Sequence, residues 1–318
     1  MSTTAALSTE YQAITEACGL LDRSDRGKLA LSGAEAKSFL QGQVTNDIEA
    51  LVEGAGCYAA FLTPKGKMLG DLRVLDAGDE LLLDTERSAL QALFNMIRRF
   101  SVGYDAELHK RTVQRGLLSL LGPSADALLA GSAPGRAEHS HRPVTIDAIN
   151  ARAIRTDIGI DLLCDAADIV RLAETLHSIG AITVSEATAE IVRVERGRPR
   201  YGVDLDEGVI PQEAGLNERA VSFTKGCYVG QETVARLYYR GKPNRHLRGL
   251  RSDEPTAAGQ ELHLDGRAMG RLTSAVSSPR LGWIALALVR REAPPGSRVA
   301  IGDSGRDAEV VELPFAPG

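Results

Sequence analysis

At 318 residues, with 43% hydrophobic and 25% charged side chains, the chain has globular composition and length for two or three packed units. A net charge of −5 excludes the globally basic surface that nucleic acid or anionic membranes select, so any basic patch is local. No stretch approaches the roughly 20 apolar residues of a membrane span, and Met1 to Glu10 lacks the basic-then-apolar order of a signal peptide, so the expected compartment is the cytoplasm.

The first predicted elements are two helices. Thr9 with Gln12 and Ser32 with Glu35 have capping-box spacing before apolar-periodic runs. The first helix is expected to bury Ile14, Cys18 and Leu21. The second is expected to bury Ala36, Phe39 and Leu40 and to stop at Gly42 in a left-handed cap. Tyr58 to Leu62 and Lys67 to Val74 then flank the turn Thr63-Pro64-Lys65-Gly66, which reads as a β-hairpin. In its second strand Met68, Gly70, Leu72 and Val74 share one face, leaving Asp71 and Arg73 together on the other. A strand at Leu81 to Asp84 leads to a helix carrying Leu90, Leu93, Phe94 and Ile97 at helical spacing.

A Gly/Pro/Ser/His segment from Gly131 to Pro143 reads as a loop, with His139 and His141 on its surface and no third ligand at metal spacing. Strands follow at Ala153 to Thr156 and Gly159 to Cys164. A helix runs from about Ala166 to Ile179, closed by Gly180, and another follows Ser185. Hairpins with segregated helices indicate an α+β fold of antiparallel sheets, and no Gly-x-Gly-x-x-Gly follows a strand to suggest a dinucleotide site. After Gly241-Lys242-Pro243-Asn244, short apolar runs at Leu247 to Leu250, Leu262 to Leu264 and Trp283 to Val289 alternate with Gly and Pro, the texture of a small β-barrel. The expected division is therefore 1–240 and 241–318.

Cys18, Cys57, Cys164 and Cys227 are far apart in the sequence, which gives no disulfide framework and no local metal ligand set. Cys227 stands out because it lies in Lys225-Gly226-Cys227-Tyr228-Val229-Gly230-Gln231-Glu232, between two glycines and near a lysine. Glycines permit close approach or positive φ, and Lys225 could favour a thiolate. One reading is an accessible, reactive Cys227 on a tight loop; the other is a buried small thiol with Lys225 merely solvated.

This motif resembles the Lys-Gly-Cys-aromatic-x-Gly-Gln-Glu hallmark of the YgfZ family, which includes mitochondrial iron-sulfur assembly factors. The resemblance extends to LSGAEAKSFLQGQVTND (31–47), FLTPKGKMLGDL (61–72) and RVERGRPRYGVDLDEGVIPQEAGLN (193–217). The wider superfamily contains the aminomethyltransferase T-protein of glycine cleavage. The resemblance implies a T-protein-like folate-binding fold over 1–240, in two α+β subdomains, with a C-terminal barrel. It also implies tetrahydrofolate or a one-carbon derivative as cofactor, iron-sulfur client or assembly proteins as transient partners, and no DNA or membrane. Within Arg193-Val194-Glu195-Arg196-Gly197-Arg198-Pro199, Glu195 matches the pterin-binding carboxylate, which suits a ring presenting an N–H and an amino group side by side. The competing reading pairs Glu195 with Arg193, Arg196 or Arg198 at the surface.

Arg193, Gly226, Gly230, Gln231 and Glu232 join Glu195 as cofactor-binding candidates, with Tyr201 and Tyr228 as possible stacking partners. Cys227, Lys225 and Asp71 are the catalytic candidates. T-protein relatives carry two adjacent aspartates where this chain has Gly70-Asp71, and an Asn-Ala pair where it has Asp84-Thr85. The surviving Asp71 could still handle a proton, or be a solvated residue paired with Arg73. The three functions left open are an iron-sulfur accessory protein, a tetrahydrofolate-dependent aminomethyl or one-carbon transferase, and a scaffold whose pocket is vestigial. The basic run of Arg236, Arg240, Lys242, Arg245, Arg248 and Arg251 could attract a glutamyl tail or an acidic partner, or be a solvated face. Asp204, Asp206, Glu207, Gln212 and Glu213 read as loop-ordering residues.

Overall fold

The computed structural model describes residues 3–302 and 306–316, with the side chains of residues 3–6 left undescribed. In chain order the elements are α1 (Thr3–Glu16), β1 (Gly19–Asp22), β2 (Gly27–Ser32), α2 (Ala36–Gln41), β3 (Gly56–Leu62), β4 (Met68–Asp76), β5 (Glu80–Thr85), α3 (Leu90–Phe100), β6 (Glu107–Lys110) and β7 (Arg115–Leu121). They continue with α4 (Ala125–Leu128), β8 (His141–Ile146), β9 (Ile149–Arg155), β10 (Gly159–Asp165), α5 (Ile169–Ser178), β11 (Ile182–Thr183), α6 (Glu186–Glu195), α7 (Asn217–Ala220) and α8 (Gln231–Arg240). The last strands are β12 (Arg245–Ser252), β13 (Glu261–Leu264), β14 (Arg267–Ser278), β15 (Gly282–Arg290), β16 (Arg298–Ile301) and β17 (Arg306–Val311).

The described residues fall into two units: those within 1–62, 69–188 and 219–229 in the first, and those within 63–68, 189–218 and 230–318 in the second. The first holds two sheets, in strand orders β3-β4-β5-β2-β6 and β11-β1-β7-β10-β9-β8. Antiparallel pairing joins β2 to β5 and β6, β4 to β5, and the run β1-β7-β10-β9-β8, whereas β1 pairs β11 in parallel over two residue pairs. Leu20, Leu118, Leu120, Ile160 and Leu162 of the second sheet bury against Leu172 and Leu176 of α5. That helix puts leucines four residues apart on one face, the spacing a helix needs to cover a sheet. The sheets are also tied by charge. Arg73 on β4 donates to Asp84 on β5 and to Asp161 on β10, both at 2.6 Å, and Ser119 on β7 donates to Asp161 at 2.6 Å.

In the second unit β12-β15-β14-β13-β16-β17 close into a barrel filled by Leu250, Leu262, Leu272, Val289, Val299, Ile301 and Val310. Closure leaves no unpaired sheet edge. Val194 of α6 packs with Leu247, Ile284, Leu286 and Phe315 on the barrel's outside.

Several local expectations change. Thr9 lies inside α1 rather than capping it, and Cys18 and Leu21 are buried beyond the helix, Leu21 on β1. Ser32 ends β2, held by pairing with Glu80 and Glu107, so α2 begins at Ala36 without a side-chain cap. Ala36, Phe39 and Leu40 are buried as expected, but Gly42 has φ −77°, an ordinary right-handed value. His139 and His141 are buried, not surface residues, because the segment turns inward to hydrogen-bond Arg155 and Gly54 and then pairs as β8.

Candidate functional site

In the first unit the only carboxylate of the Gly70-Asp71 pair is 5% exposed. Tyr58 Oη donates to Asp71 Oδ2 at 2.6 Å, and Thr85 Oγ1 donates to the Asp71 carbonyl at 2.5 Å. Burial is the main cause that pushes the Asp71 carboxyl up to about 6; the Tyr58 hydrogen bond opposes it and the Glu86 charge adds to it. Asp84, in the same sheet, behaves in the opposite way. Burial would raise it, but the guanidiniums of Arg26 and Arg73 outweigh burial and hold it well below the usual carboxylate range. Gly70 explains the missing second carboxylate sterically. A Cβ there would lie 2.5 Å from the Phe61 ring and 2.6 Å from Ala89 Cβ, so the position is filled by core.

The Lys225 loop belongs to the same unit. Lys225 Nζ donates to the carbonyls of Gln41, Val44 and Asn46 at 2.5, 2.8 and 2.7 Å, using all three of its protons. It also lies 5.2 Å from the Tyr228 ring centroid. Burial pushes Lys225 down to about 8, so it is still an ammonium at neutral pH. The carbonyls it reads are fixed in turn: Gln41 bonds Asp47 and the Ile48 N–H, and Asn46 bonds the carbonyls of Tyr58 and Arg219. The LSGAEAKSFLQGQVTND stretch thus serves as the anchor for the cysteine loop. With its three protons given to these carbonyls, the lysine holds the loop.

Cys227 is exposed, whereas burial pushes Cys18 and Cys164 up to about 11 and Cys57 up to about 12. Tyr228 is buried, with burial pushing its hydroxyl up to about 12. Gly226 has no positive φ, and a Cβ added to it would meet nothing within 4 Å, so neither strain nor packing there requires glycine.

In the second unit Glu195 ends α6 and is 5% exposed. Ser278 Oγ donates to its Oε1 at 2.5 Å while accepting from the N–H groups of Arg280 and Leu281, and the Arg280 guanidinium lies 3.6 Å from Oε2. The carboxylate is therefore buried and oriented by Ser278 of the barrel. Arg193 spends its five N–H donors inside the unit, on both Glu190 oxygens, the Arg198 carbonyl, Asp204 at 2.6 Å and Ser274 at 2.7 Å. That arrangement positions α6 rather than a ligand. Tyr201 is buried and bridges to Leu205. Gly230 adopts φ 86° before α8, and Gln231 and Glu232 form the helix's first turn, where acidic Glu232 suits the helix dipole. Glu213, expected to order its loop, binds Arg245 at 2.9 Å.

The His139 and His141 rings are held neutral, each pushed down to about 4 by burial and then by neighbouring arginines. Among the described residues no cluster of three or more His, Cys, Asp or Glu is placed to hold a metal, and no helix is long and apolar enough to cross a membrane. Sequence reasoning missed Tyr58, Glu86, Arg26 and Ser278, which become visible only once strand register is known.

Residues 1–225 match the GCVT N-terminal domain family and residues 245–316 the glycine cleavage T-protein C-terminal barrel domain. The chain is 29% identical to a putative chloroplastic transferase of Arabidopsis thaliana, over 92% of this chain and 71% of the other. It is also 29% identical to an aminomethyltransferase of Rubrobacter xylanophilus, over 98% and 86%. Its fold is similar to the crystal structure of the glycine cleavage system aminomethyltransferase T from Bartonella henselae, with a TM-score of 0.86, 24% identity, and 98% and 89% coverage. These matches span both the sheet-bearing region and the barrel, and on that ground the chain belongs to the glycine cleavage T-protein (GcvT) family.

Proposed function

We propose that the protein binds tetrahydrofolate and, as a YgfZ-type member of its family, supports the assembly or repair of iron-sulfur proteins through the Cys227 thiol. The observation that carries this reading is the contrast between Cys227 and the other three cysteines. It is the exposed thiol, on a loop that a buried lysine fixes through three carbonyls. Glu195 fits the pterin: a buried carboxylate, oriented by Ser278, can accept the adjacent N–H and amino group of that ring. Bound folate would supply a nitrogen able to carry a one-carbon unit. In the chain itself, residues 1–240 would form the folate-binding region and 241–318 the barrel.

A second reading, one-carbon or aminomethyl transfer, is favoured by Asp71. A buried carboxyl titrating near 6 is suited to take up and return a proton at neutral pH, and relatives of the chain are aminomethyltransferases by name. Asp71 is the proton-handling group in either reading. Substituting Cys227→Ser in cells that depend on this protein separates the two. Loss of iron-sulfur enzyme activity with folate binding intact is the expected result; full support by the variant removes the thiol role and leaves the transfer reading.

A further inference from the structure

Asp71 has a partner that neither the sequence motif nor its own strand reveals. On β4 and β5 the register pairs Arg73 with Asp84. Carried two residues further along these antiparallel strands, it sets Asp71 opposite Glu86, one residue past the end of β5. On β2 and β5 the register pairs Gly27 with Thr85, and one further step sets Arg26 opposite the same Glu86. Two contacts support this continuation. The Arg26 guanidinium bonds Glu86, and Thr85 Oγ1 bonds the Asp71 carbonyl. Arg26 and Glu86, each one residue beyond its strand, are thus joined at the end of the β2-β5 ladder, and Asp71 of β4 is bonded there by Thr85 and by Tyr58 of β3.

Residues directly opposite on antiparallel strands have Cβ atoms about 4.5–5.5 Å apart, and like charges placed so oppose one another. We propose that Glu86 is a positioning residue for the Asp71 proton: the two side chains form a cross-strand carboxyl pair, with Arg26 holding Glu86 from one side and Tyr58 holding Asp71 from the other. This rests on the reading of Asp71 as the proton-handling group. The pair supplies the second carboxylate that position 70, filled by Phe61 and Ala89, has no room to carry.

The charged groups around Asp71 divide by sign. Glu86 and Asp84 favour its protonated form, while Arg26 and the Tyr58 hydroxyl favour the ionised one. Arg219 bears on it indirectly, stacked 5.2 Å from the Tyr58 ring centroid, and Arg73 on the same strand is engaged by Asp84 and Asp161. Glu86 is thus the group that a single isosteric change can neutralise without removing a hydrogen bond to Asp71.

The test is a carbon-13 NMR titration of the Asp71 carboxyl, identified by its loss in Asp71→Asn, in the parent, Glu86→Gln and Glu86→Asp proteins. The proposal expects Glu86→Gln to weaken proton binding at Asp71 roughly tenfold and Glu86→Asp to restore most of it. An unchanged titration in Glu86→Gln overturns the pairing. This readout needs no folate and no turnover, so it is separate from the role of Asp71: an Asp71→Asn protein with full function would overturn that role while leaving the pairing intact.

Discussion

Arg193 in the second unit is half-buried and Asp71 in the first is buried, and the two charged side chains are satisfied in opposite ways. Arg193 has a partner for each N–H, including Asp204, whose side chain is 0% exposed. Asp71 receives a phenol hydrogen bond, and burial, more than the charge of Glu86, raises its proton affinity. A fully paired charge fixes structure, because either loss of a partner or movement leaves an ion uncompensated. An under-compensated carboxyl at neutral pH is a group that can exchange a proton.

The largest expected effect breaks the first half of this contrast. Arg193→Ala removes the guanidinium that bridges Asp204 and Glu190 and should destabilise the protein by about 3 to 5 kcal/mol in urea unfolding. The effect should vary little between pH 6 and 8. A loss under about 1 kcal/mol, the scale of an exposed pair, would show that the network is not what holds α6.

Asp71→Asn should act in the opposite direction. Asp71 binds its proton more tightly folded, near 6, than at its ordinary value of 3.8. Its contribution is therefore most favourable below about pH 4, where both states are protonated, and is lost as pH rises through 6. The gap corresponds to about 2 to 3 kcal/mol. Asp71→Asn should be more stable than the parent by up to that amount at pH 8 and nearly equal to it at pH 3.5. Equal stabilities at both pH values would contradict the raised proton affinity.

Much of the fold was legible in the sequence because periodicity reports it directly. Leu93 and Ile97 of α3, the hairpin around Thr63 to Gly66 and the barrel strands all lie where their patterns place them. Local capping signals failed where tertiary pairing outweighed them: Ser32 is claimed by two neighbouring strands, and Thr9 falls within a longer helix. Gly/Pro composition misplaced His139 and His141, because a loop rich in turn residues can still fold onto a sheet edge.

The candidate site was legible only as a set of motif residues. The burial of Glu195 and the exposure of Cys227 were open alternatives in the sequence. The bonds of Tyr58 to Asp71 and of Arg26 to Glu86 depend on register among four strands, which no spacing in a linear sequence encodes. Lys225 carries the same lesson, since its partners lie about 180 residues away, at Gln41, Val44 and Asn46.

Whether a buried, Ser278-oriented Glu195 holds a pterin is tested most directly by calorimetric titration of tetrahydrofolate into the parent and Glu195→Gln proteins. Saturable binding to the parent, weakened at least about a hundredfold in the variant as expected for losing a charged bidentate acceptor, is the predicted result. Equal binding to both proteins, or none to the parent, would contradict it.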